Sequence, residues 1–107
     1  MQIKPTAIFA KSLKKLYKKD KLLLIEYEQL LNDLKEKPTL GTYIGNSTYK
    51  IRIKNNSNNK GKSAGYRVIT YTKIEDTILL VHIYSKSNTE NINDNIINEI
   101  IQKFLNS

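Results

Sequence analysis

A chain of 107 residues with 39% hydrophobic side chains and a formal charge of +8 has room for one modest core; it predicts a single domain, residues 1–107, carrying one site. With no cysteine it has no disulfide, thiolate nucleophile or cysteine-based zinc site, and the lone His82 cannot build a metal centre by itself, so neither a metal nor a cofactor is expected. The segment Met1 to Pro5 lacks the apolar stretch of a secretory signal, and no apolar run approaches the roughly 18 residues of a membrane span; a cytoplasmic protein without a membrane partner is expected.

In chain order, Gln2 to Lys4 reads as a short strand. Thr6 is placed to cap a helix with Phe9, Leu13, Leu16 and Tyr17 at helical spacing and lysines on its other face. Asp20 looks like the cap of a second helix, whose stripe of Leu23, Tyr27, Leu30, Leu31 and Leu34 is ended by Pro38 and Gly41. Glu26, Glu28, Asp33 and Glu36 lie on that helix, which is expected to hold them away from the basic strands. From Gly41 the period changes. Thr42 to Ile44 is strand-like, Gly45-Asn46 signals a turn, and Tyr49 to Lys54 alternates as a strand. Residues 55–65 have no apolar periodicity and are rich in turn formers, predicting a basic loop. Tyr66 to Lys73 and Thr77 to Tyr84 are β-branched and aromatic, and Glu75-Asp76 joins them at hairpin spacing, so they should pair antiparallel. Finally Asn93 caps a helix whose buried stripe is Ile96, Ile97, Ile100, Ile101, Phe104 and Leu105. The expected class is α+β in the order β-α-α-β-β-β-α, a small, mainly antiparallel sheet with an N-terminal helical hairpin and a C-terminal helix.

Charge is distributed unevenly over these elements. Lys37 to Ile74 contains no carboxylate and holds both arginines of the chain, Arg52 and Arg67, among eighteen basic residues. Alternation sets Lys50, Arg52 and Lys54 on one face of their strand and Tyr49, Ile51 and Ile53 on the other. A planar guanidinium offers phosphate a bidentate fork that an ammonium cannot, a physical reason for arginine at two positions in a lysine-rich protein. A polyanion, RNA first, is the partner such a surface fits. Alternating cations also protect an edge strand from aggregation, and that reading competes for Lys54, Lys60 and Lys62 individually. Gly61-Lys62-Ser63 lacks the full spacing and setting of a phosphate-binding loop, so nucleotide hydrolysis is not expected. His82, between Val81 and Ile83, reads as a packed or partly exposed sheet residue rather than a catalyst.

Four blocks occur together in order: Tyr49-Lys-Ile-Arg-Ile53, Lys60-Gly-Lys-Ser-Ala-Gly-Tyr-Arg-Val-Ile-Thr-Tyr71, Leu79-Leu-Val-His-Ile-Tyr-Ser-Lys86, and a helix start at Asn91-Ile-Asn93. With the helical hairpin and the Pro38 to Gly41 boundary, they resemble the RelE/ParE toxin superfamily, and within it the RelE/HigB-like branch. The resemblance covers essentially the whole chain. It implies a toxin of a type II toxin-antitoxin system: a ribonuclease that enters the ribosomal A site, cleaves messenger RNA there, and is silenced by a cognate antitoxin, itself a DNA-binding protein. By the same resemblance Lys50, Arg52 and Arg67 form the active surface, with Lys54, Lys60, Lys62 and Lys73 tracking phosphates. Members of the family place an arginine and then a tyrosine or histidine around the last strand and final helix. This chain offers Tyr84, Lys86 and Ser87 there, with Ile92 where an aromatic acid-base group is expected.

Cleavage by the RNA's own 2′-hydroxyl needs a base, positive charge on the transition-state phosphate and an acid at the 5′-oxygen, without a metal. Arg52 and Arg67 supply the charge, Lys50, crowded by other cations, is the candidate base, and Tyr84 or Lys86 is the candidate acid. Two alternatives are a ParE-like gyrase poison that leaves RNA intact and a basic module that binds RNA without cutting it.

Overall fold

A five-stranded sheet held between a helical hairpin and a single C-terminal helix organises the computed structural model, which describes residues 1–54, 65–87 and 92–107. The elements are β1 Gln2–Pro5, α1 Ala7–Lys19, α2 Leu23–Glu36, β2 Thr42–Gly45, β3 Thr48–Ile53, β4 Tyr66–Tyr71, β5 Thr77–Ser85 and α3 Asp94–Leu105. The sheet order is β1-β5-β4-β3-β2, with β1 parallel to β5 and every other pairing antiparallel. The expected α+β class and hairpin placement hold, and the strand-like segment from Thr42 forms a full strand, Thr42–Gly45, which brings the strands to five where the expected order has four.

Local chemistry accounts for most boundaries. The Thr6 hydroxyl accepts from the Phe9 amide at 3.0 Å, capping α1, and donates to the Val81 carbonyl at 2.8 Å, tying that helix start to β5. Asn93 caps α3 through the Asn95 amide. Asn46 and Ser47 both adopt positive φ (51° and 57°), the left-handed pair that a two-residue turn between twisted strands requires, and they join β2 to β3. Asp20 differs from expectation. The N-cap position of α2 is Leu22, without a side-chain cap, and Asp20 ends α1 instead. Its buried carboxylate accepts from the Leu22 amide at 3.1 Å and from the Tyr66 hydroxyl at 2.8 Å, pinning the hairpin's turn to β4.

The sheet buries both faces. Phe9, Leu23, Leu30 and Leu34 from the hairpin pack on Ile51, Ile53, Val68, Ile78, Leu80 and Ile83. Ile97, Ile100 and Ile101 of α3 pack with Ile69, Tyr71, Leu79, Val81 and Tyr84 on the opposite face. All six residues of β4 are buried, and each fully buried aliphatic side chain contributes about 1.5–3 kcal/mol, so the two central strands form the rigid frame on which the site is mounted.

Candidate active site

Strand register assembles the site from residues far apart in sequence. Arg52 on β3 pairs with Arg67 on β4, and Arg67 pairs with Tyr84 on β5. Directly paired residues of antiparallel strands project to the same face, so two guanidiniums and a phenol form one row across three strands. Lys50, Ile69 and His82 make the neighbouring row. On the other side, Lys54 and Lys86 bracket Gly65, whose carbonyl accepts from the Lys86 amide at 2.9 Å.

A bulge in β5 creates this row. Ile69 pairs with His82 but Thr70 pairs with Leu80, leaving Val81 as an extra residue. Leu79 and Val81 face α3, and strict alternation would carry Ile83 to that face and Tyr84 to the hairpin side. The one-residue shift reverses this: Ile83 joins the hairpin core and Tyr84 the α3 side, beside Arg67.

Arg67 is the unusual member. It is only 7% exposed, and its Nη1 donates to the Tyr66 carbonyl at 3.2 Å. No carboxylate pairs with it among the described residues, and the residue opposite it on β3 is a second arginine. A buried cation normally requires a paired anion, and like charges directly across a sheet destabilise it. Burial pushes the Tyr84 hydroxyl above its ordinary pKa, opposed by the Arg67 charge and the Ile92 amide. Tyr84 therefore carries its proton at neutral pH. The arrangement sets two arginines opposite each other and a protonated phenol beside the buried one.

Against this geometry, the family model for the RelE toxin of the RelE/RelB toxin-antitoxin system matches residues 1–104. The chain belongs to the RelE toxin family. Comparison with curated proteins returned no match. As a toxin of this kind it is one half of a pair whose other half is an antitoxin. Among the described residues no helix is long and apolar enough to cross a membrane.

The sequence-derived candidates of this RelE-family toxin divide by position. Lys50 and Lys86 are half-buried on either side of the arginine row, and Arg52 and Lys54 are exposed. Lys73 follows the far end of β4, six residues from Arg67, or about 20 Å along an extended strand. Lys60 and Lys62 lie outside the described residues. Ile92 packs against the α3-side core, with its backbone amide acting on Tyr84, so its contribution to the site comes from the main chain.

Two features went unread in the sequence. The carboxylates of α2 are not held away from the basic strands: Glu26 and Asp33, with Gln29, line the same cleft of about 460 Å³ as Lys50, Arg52 and Lys54. Their spacing, roughly one helical turn apart, signalled a shared face, but only the packing of α2 beside β3 shows what that face meets. His82 is half-buried as expected, yet its ring stacks at 6.0 Å from Tyr84 and its buried Nδ1 has no partner among the described residues. Burial lowers its pKa.

Proposed function

We propose that this toxin is a ribosome-dependent messenger endoribonuclease that cleaves RNA by attack of the 2′-hydroxyl on the adjacent phosphate. The observation carrying this reading is the row Arg52, Arg67 and Tyr84, in which a buried arginine with no carboxylate partner among the described residues lies opposite a second arginine. A phosphate carrying extra negative charge in the transition state is the ligand that such a pair stabilises, and the buried Arg67, already held by the Tyr66 carbonyl, needs little reorganisation to do so. Tyr84 holds its proton at neutral pH and serves as the acid toward the leaving 5′-oxygen. Lys50, one row away, is assigned the base, and Lys86 with Lys54 holds the flanking backbone. Messenger in the ribosomal A site is the substrate, and an antitoxin shielding the basic face silences the enzyme.

Growth tests this reading. Induction of the toxin alone should arrest cells, and Arg52→Ala or Arg67→Ala should relieve the arrest while the purified variants remain folded. Full toxicity in both variants rejects it. Arrest accompanied by trapped, cleaved DNA and intact messenger instead indicates a gyrase poison.

A further inference from the structure

Beyond the arginine row, β5 continues past the reach of β1, whose pairing ends at Pro5 opposite Leu80. From there α1 takes the place of a strand along that edge, and a cleft of about 220 Å³ opens between the two elements. Its lining includes Ser12, Lys15 and Lys19 from α1 and His82, Tyr84 and Ser85 from β5. Ser12, Lys15 and Lys19 are spaced three and four apart, so they occupy one helical face. Both lysines are exposed at the rim, and neither has an acidic partner among the described residues.

Unmet hydrogen-bonding capacity is concentrated here. The buried Nδ1 of His82 has no hydrogen-bond partner among the described residues, and the buried hydroxyl of Tyr84 has only the Ile92 amide acting on it. Unsatisfied buried polar atoms are uncommon in folded proteins, and one on an imidazole stacked against a phenol with spare hydrogen-bonding capacity marks a place that a ligand can complete. The lysines set the ligand's sign. Among the described residues no carboxylate lines the cleft, whereas two ammonium groups, two serine hydroxyls and an imidazole do. We propose that this cleft is a second phosphate subsite, holding a phosphodiester of the same RNA strand that crosses the arginine row. Tyr84 belongs to both places, and this continuity makes one strand the occupant. The assignment of the phosphate to RNA rests on the proposed nuclease function; the capacity to bind phosphate does not.

The chain has one histidine, so its imidazole NMR signals report on the cleft without assignment ambiguity. The charged groups facing His82 are Lys15 and Lys19 from α1; Tyr84 stacks on it from its own strand, and its partner across the sheet is the apolar Ile69. Titration with inorganic phosphate should shift the His82 resonances and raise the imidazole pKa, because a bound dianion favours the imidazolium. Lys15→Gln with Lys19→Gln should weaken that response about tenfold, the loss expected for charge-assisted contacts. Lys14→Gln with Lys18→Gln, an equal charge loss outside the cleft, should leave it nearly unchanged. A His82 signal that ignores phosphate, or that responds equally in the two double variants, overturns the subsite. Arg67→Ala should preserve the phosphate response, which separates failure of the subsite from failure of the nuclease reading. A 2′-O-methylated hexanucleotide should compete with phosphate at His82 in the unaltered protein; phosphate binding without such competition overturns the same-strand assignment.

Discussion

Replacing Arg67 by methionine separates a residue kept for function from one kept for stability. The guanidinium is 7% exposed, donates one hydrogen bond at 3.2 Å to a neutral carbonyl, and lies opposite Arg52. Exchanging buried ionic groups for apolar ones of similar volume is often neutral or stabilising by about 1–4 kcal/mol, and relief of a direct like-charge pair adds about 0.2–1 kcal/mol. Against this stands one charge-assisted hydrogen bond of about 1.5–3 kcal/mol. The balance runs from about 3 kcal/mol less stable to about 3.5 kcal/mol more stable, centred close to no change, and in a domain of this size 1 kcal/mol corresponds to about 4–8 °C in Tm. Cleavage on programmed ribosomes should meanwhile fall at least about 10²-fold, the loss typical of one preorganised oxyanion donor. Thermal unfolding followed by circular dichroism, with the cleavage assay on the same preparation, reads both effects. A variant destabilised by more than about 3 kcal/mol, or one that keeps its activity, refutes the reasoning.

Other positions test the scaffold and the acid. Tyr84→Phe removes the proposed proton donor and should lower cleavage by about 10²- to 10⁴-fold without changing the urea midpoint by more than a small fraction. Gly65→Ala drives a Cβ into the Ile53 carbonyl oxygen, a backbone atom that cannot move aside, and should cost about 1–3 kcal/mol or more in urea unfolding. Thr6→Val loses both the α1 cap and the bond to Val81, an expected loss of about 1–2 kcal/mol in the same measurement. The pH dependence follows from Tyr66, whose pKa is pushed well above the ordinary 10.0 by burial and by the Asp20 carboxylate that accepts its hydrogen bond. A raised folded-state pKa contributes stability that is complete below pH 10 and is lost as pH climbs from there toward the folded value. Urea midpoints should therefore fall above pH 10, and less steeply in Tyr66→Phe.

Caps and periods were the legible part of this fold. Thr6 and Asn93 announce helix starts because their side chains satisfy amides within three residues, and β4 declares itself by composition alone. The shared strand face of Lys50 and Arg52 was legible because alternation within one strand depends only on neighbours in sequence. Long-range facts were not legible. The approach of Asp20 to Tyr66 spans 46 positions, and nothing local distinguishes a capping aspartate from a buried anchor. The register joining Arg52, Arg67 and Tyr84 depends on a bulge at Val81, which no turn former marks. For the same reason the stacking of His82 on Tyr84 was hidden: the alternation that called His82 a sheet residue said nothing of the α1 lysines beside it. The opposition of α2 carboxylates to the β3 cations arises from helix packing, which sequence spacing constrains only to a face.

The central claim is that the arginine row cuts messenger RNA. Purified toxin incubated with programmed ribosomes, followed by primer extension, tests it most directly. New 5′ ends within the A-site codon, present with the unaltered protein and absent with Arg67→Met, are the predicted result. Full-length messenger after incubation with active, growth-arresting protein contradicts the account.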